Sequence, residues 1–79
     1  MRIKVRLSST LARYVADASP GVTFEVELSE GATLVDLMNQ LRLPLDEVKV
    51  AFVNGRTQHP DVTLRDGDEV GIFPPIGGG

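Results

Sequence analysis

Glu69-Val70-Gly71-Ile72-Phe73-Pro74-Pro75-Ile76-Gly77-Gly78-Gly79 closes a chain of 79 residues. Its first half reads as a strand, with Val70 and Ile72 on one face. Phe73 precedes a proline and is pushed towards extended backbone. Pro74 and Pro75 have fixed φ and no N–H, so no hydrogen-bond ladder continues through them. The strand must stop there and leave as a stiff, polyproline-like spacer. Gly77, Gly78 and Gly79 lack Cβ atoms and fit a gap too narrow for other residues. Fully extended, Ile76 to Gly79 reaches roughly 13–14 Å beyond the spacer, at about 3.3–3.6 Å per residue. A free α-carboxylate is expected at the far end of that reach.

Immediately upstream, Arg65-Asp66-Gly67-Asp68 is a tight turn that launches the last strand. At the other end of the chain, residues 2–8 set Arg2, Lys4 and Arg6 against Ile3, Val5 and Leu7, the pattern of a half-buried strand. Residues 9–18 read as a loop with about one helical turn, and Ser19-Pro20-Gly21 as a turn. Residues 22–28 alternate again, with Val22, Phe24, Val26 and Leu28 inward. An antiparallel pairing with the first strand sets its cations beside Glu25 and Glu27.

Thr33, with Asp36 three residues on, predicts a helix start by a capping box. Leu34, Leu37, Met38 and Leu41 form its apolar stripe, and Pro44 ends it by about Arg42. Val48–Val53 is the most hydrophobic strand candidate. Asn54-Gly55 is a hairpin turn, Arg56–Gln58 a short return, and Val62–Leu64 a short extended piece. The order predicts an α+β fold: a mixed sheet of four to five strands with one main helix across one face. Residues 1–73 form the domain and 74–79 an extended, flexible tail.

Composition narrows the function. No apolar run approaches the roughly 20 residues of a membrane helix, and the charged N-terminal stretch is unlike a secretion signal. A cytoplasmic protein without membrane attachment is expected. A net charge of −3 argues against nucleic-acid binding. The absence of cysteine removes disulfides, thiolate metal sites and any persulfide or thioester held by the chain itself. His59 is the only histidine and has no second ligand near it in sequence. No nucleophile–base constellation is present, so independent catalysis is not expected. No metal or bound cofactor is expected either.

The Asp66-Gly67-Asp68 turn, the final strand, Phe73-Pro74-Pro75-Ile76 and the Gly78-Gly79 end together resemble the ubiquitin-like sulfur carriers of the MoaD/ThiS type, most closely the small subunit of molybdopterin synthase. The resemblance spans the chain and is most specific at its C-terminus. It implies a β-grasp fold, with the first and last strands side by side in the sheet centre. It implies a co-substrate rather than an enzyme. A ubiquitin-activating-type adenylyltransferase uses ATP to adenylate the Gly79 carboxylate, and a sulfur donor converts the adenylate to a thiocarboxylate. The molybdopterin synthase large subunit, or an analogous acceptor enzyme, then receives the tail.

In that scheme Gly77 and Gly78 thread the tail, and Phe73, Pro74, Pro75 and Ile76 bind the partner. Sulfur delivery to thiamine, cysteine or tRNA thiolation remains open, as does a ubiquitin-like modifier conjugated through Gly79. Two departures stand out: Gly77 extends the glycine pair to three, and Leu7-Ser8-Ser9-Thr10-Leu11 lacks the phenylalanines common there in molybdopterin-pathway members.

Overall fold

A computed structural model describes residues 1–16 and 18–74. Five strands and two helices follow in the order β1 (Arg2–Leu7), α1 (Ser9–Ala12), β2 (Phe24–Glu27), α2 (Leu34–Gln40), β3 (Val50–Val53), β4 (Arg56–Thr57) and β5 (Glu69–Phe73). They build one sheet with the strand order β2-β1-β5-β3-β4. The first and last strands lie parallel at its centre, and every other pairing is antiparallel. With α2 packed on one face only, this is the β-grasp arrangement expected from the resemblance.

Alternation along each strand explains which face is covered. Ile3, Val5 and Leu7 of β1, Val70 and Ile72 of β5, and Ala51 and Val53 of β3 are all buried. Leu34, Leu37 and Met38 of α2 join them in one core. Among the described residues the core holds no buried polar or charged side chain, so desolvation of polar groups takes nothing from the hydrophobic gain.

The N-terminus of α2 leaves no donor idle. Asp36 N–H donates to Thr33 Oγ1 at 3.3 Å, and Thr33 N–H donates to the Asp36 carboxylate at 2.9 Å, completing the capping box. The Leu34 and Val35 N–H groups donate to the carbonyls of Val62 and Pro60 at 3.0 and 2.8 Å. The loop after β4 therefore supplies the acceptors that a helix end lacks.

Several boundaries differ from those expected. Residues 22–28 pair only from Phe24 onward, because the Gly21 turn holds Val22 through its N–H to Ser19 O. Val22 is 57% exposed rather than inward. The helix ends at Gln40 with Leu41 as its C-cap, well before Pro44. What ends it is a left-handed Arg42, φ 59°. Arg42 N–H donates to Asn39 O and Leu43 N–H to Met38 O, which closes a Schellman motif. Before β3, Leu45–Glu47 forms a 3-10 turn that delays the strand to Val50. Val62–Leu64 is not a sheet strand and makes a single bridge, Thr63 to Thr33.

Candidate functional site: the end of the central strand

The tail leaves from β5, so the geometry of β5 decides where it leaves. The launching turn is fixed from both sides. Gly67 takes φ 86°, a conformation suited to glycine. Its N–H donates to Arg2 O at 2.8 Å, and Arg2 N–H donates to Asp66 Oδ1 at 2.7 Å. The Asp68 carboxylate accepts from Arg65 N–H at 2.8 Å and from Asn54 Nδ2 at 2.9 Å. Asn54 Oδ1 in turn accepts from Glu69 N–H at 2.9 Å. Asn54 and Gly55, at φ 53° and 84°, make the hairpin turn expected of them. One turn thus sets the register of β5 against both β1 and β3, and the turn role expected for Asp66 and Asp68 accounts for their contacts.

At the opposite end of β5, Lys49 N–H donates to Phe73 O at 3.0 Å. Phe73 is half-buried on the face away from α2, where its ring meets the Phe52 ring edge-on, 5.7 Å between centroids at 78°. Gly71 leaves room for that ring: a Cβ there would sit 3.2 Å from Phe73 Cε2. Pro74 follows, also half-buried. Pro75, Ile76, Gly77, Gly78 and Gly79 lie outside the described residues, as does Asp17.

Of the residues expected to act, Phe73 and Pro74 therefore stand together where the central strand ends. The outer face around them carries a groove of about 420 Å³, lined by Lys4, Arg6, Phe52, Glu69, Gly71 and Phe73. Sequence reasoning passed over Gly71 and Phe52. The signal was present: a glycine inside a strand marks a close approach, and its spacing of two from Phe73 puts both on one face.

The basic stripe of β1 is not uniform. Arg2 is held by Glu27, with Nη2 to Oε1 at 2.9 Å, and lies 3.7 Å from Glu25. The hydrogen bond and charge of Glu27, with Glu25 behind it, raise its pKa above the usual arginine value. Lys4 stands opposite Glu25 on β2 and Glu69 on β5. Arg6 stands opposite Gly71, which offers no side chain. No group of three histidine, cysteine, aspartate or glutamate side chains among the described residues is placed to hold a metal ion. No described helix is long and apolar enough to cross a membrane.

The profile of the ThiS family matches residues 12–79. Among solved structures, the protein from Pyrococcus furiosus assigned as molybdopterin converting factor subunit 1 is 30% identical, covers 96% of this chain and 99% of its own, and superposes with a TM-score of 0.71. SAMP1 from Haloferax volcanii is 22% identical over 100% of both chains, with a TM-score of 0.71. In the complex of subunits 1 and 2 of the molybdopterin-converting factor from Helicobacter pylori, the matching chain is 20% identical over 100% of both chains, with a TM-score of 0.64. These last two similarities concern the fold alone. No curated protein matches the chain.

Proposed function

The chain belongs to the ThiS family of ubiquitin-like sulfur carriers, and we propose on that footing that Gly79 is its working residue. A carboxylate is a poor electrophile. Attack of a Gly79 carboxylate oxygen on the α-phosphorus of ATP, held by a ubiquitin-activating-type adenylyltransferase, releases pyrophosphate and leaves a mixed anhydride with AMP. Sulfide-level sulfur released by the donor then attacks the carbonyl carbon and expels AMP, and the product is a thiocarboxylate. The thiocarboxylate sulfur bonds to an acceptor, and water then hydrolyses the acyl–sulfur bond, leaving the sulfur on the acceptor and returning the carboxylate, so the chain cycles as a co-substrate rather than an enzyme. ATP is used by the activator, and this chain has no cofactor of its own.

We assign the final acceptor to molybdopterin synthesis in the cytoplasm, with this chain as the small subunit of the synthase. The 30% identity to the subunit 1 protein from Pyrococcus furiosus favours that pathway. Gly77 and Gly78 are the residues that enter the narrow sites of activator and acceptor, while Phe73, Pro74, Pro75 and Ile76 form the apolar segment that docks. The observation that carries the carrier reading is the extent of the family match. It runs through residue 79 and so includes the glycine end together with β5.

Intact mass spectrometry tests it. With ATP, the host's activating enzyme and a sulfur donor, the chain should gain the mass of one sulfur-for-oxygen exchange, and Gly78→Val should not. A second reading, a modifier joined through Gly79 to lysines of other proteins, shares the adenylation step. Ladders of this chain on larger proteins, without a thiocarboxylate form, would establish that reading instead.

A further inference from the structure

The contact between Phe52 and Phe73 stands apart from the rest of the packing. Neither ring belongs to the core cluster or packs against it, whereas Phe24, the third phenylalanine, does. The two form the only aromatic pair among the described residues, on the sheet face that α2 leaves open.

The register accounts for the pair. Phe52 stands opposite Gly71, and Phe73 lies two residues beyond Gly71 on the same face of β5. The rings are therefore diagonal neighbours across two strands, a spacing that aromatic side chains can bridge. They bridge it because Phe73 leans back along its own strand. Its Cε2 and Cζ atoms lie 3.2 and 3.6 Å from where a Gly71 Cβ would stand. A larger side chain at 71 would lever the ring away from Phe52.

The main chain completes the fastening. Lys49 N–H donates to Phe73 O at 3.0 Å, in a register that already sets Val50 opposite Phe73. Chain segments at the ends of elements ordinarily fray. Phe73 is instead held at its carbonyl by the segment entering β3 and at its ring by Phe52. Pro74 follows, half-buried and with its φ fixed. The direction in which the chain leaves the sheet is thus set at residue 73.

We propose that Phe52 and Gly71 are positioning residues: acting through Phe73, they aim the C-terminal segment, and with it the Gly79 carboxylate, at the narrow site of the activating enzyme. The inference rests on the carrier reading. Neither residue touches the reacting atoms. Both supply preorganisation, since a segment aimed before it docks loses less freedom when it does. That advantage belongs to capture of the chain and not to bond-making at Gly79. It falls on KM rather than kcat.

The test is exchange of labelled pyrophosphate into ATP by the activating enzyme of the same organism, with the full chain as the varied substrate. The exchange reports adenylate formation. Phe52→Ala should raise KM for the chain by about three- to tenfold with kcat unchanged. Phe52→Tyr, which keeps the ring, should restore the wild-type value. Gly71→Val should act as Phe52→Ala does. In a Phe73→Ala chain, which lacks the ring to be held, neither Phe52→Ala nor Gly71→Val should raise KM further. Circular dichroism verifies that each variant is folded at the assay temperature.

An unchanged KM in Phe52→Ala overturns the proposal, as does a loss confined to kcat. Effects that add in full in the Phe73→Ala chain overturn it too, since Phe52 and Gly71 would then meet the enzyme directly. If the wild-type chain supports no exchange, the carrier reading fails and takes this inference with it. If the wild type supports exchange and Phe52→Ala keeps its KM, the inference fails alone.

Discussion

Arg42 holds the one conformation in the helix terminus that its side chain disfavours. At φ 59° its Cβ crowds the backbone, a cost of about 1–2 kcal/mol for an L-residue. The Schellman bonds from Arg42 and Leu43 to the last turn of α2, with Leu43 buried, hold it there. Arg42→Gly should therefore stabilise the protein by about 0.5–1 kcal/mol after the added freedom of the unfolded chain is counted. For a domain of this size that raises the melting temperature by about 2–8 °C. A urea titration with unchanged slope would verify it, and an unchanged midpoint would mean that the Arg42 side chain makes up the difference. Sequence reading gave Pro44 this stopping role because proline is the stronger local signal. The left-handed residue two positions earlier is invisible without the backbone, since arginine carries no mark of that conformation.

The elements differ in how far their own residues determine them. β1 and β5 were legible because alternation runs their full length and both inward faces are apolar. α2 was legible in its stripe and in its capping box. The same pattern did not reveal that Pro60 and Val62 supply acceptors to its first turn, since that contact spans more than twenty residues of chain. Thr33→Ala should cost about 1 kcal/mol by removing the side-chain acceptor for Asp36 N–H. The backbone bonds from Leu34 and Val35 remain, so hydrogen exchange at those two amides should stay slow in the variant. Fast exchange there would show that the threonine, rather than the loop, holds the helix end. β2 was read too long for a related reason. Val22 fits the alternation, yet the turn around Gly21 captures it before pairing begins.

At the scale of the whole molecule, strand order was not derivable from periodicity. That β1 and β5 lie parallel at the centre came from the resemblance, and the turn at Asp66-Gly67-Asp68 is its physical cause here, binding β1 and β3 at once. Phe73 and Pro74 could be assigned to one locale from sequence because proline fixes where the strand ends. The groove on the outer face could not, because it depends on rows formed across three strands. A division of labour follows between β5 and the tail beyond it. Ile72→Ala empties a fully buried site and should cost about 2–5 kcal/mol, a large share of a small domain's stability. Gly78→Val should leave the unfolding midpoint where it is and stop sulfur loading. Measuring both properties on both variants separates folding from function, and a shared loss in Gly78→Val would join them.

Placing the last strand at the centre of the sheet also has a consequence during synthesis. Within this domain β1 is synthesised before every other element, but the neighbour that completes its pairing is the domain's last strand. Until Phe73 has emerged, the core lacks Val70 and Ile72, and the sheet is split between β1 and β3. Pairing of such distant segments is slow and all-or-none. A stalled or truncated chain consequently remains unfolded and open to proteases. Only a molecule translated through its final strand can offer partners a folded surface, so the topology itself inspects each copy for completeness.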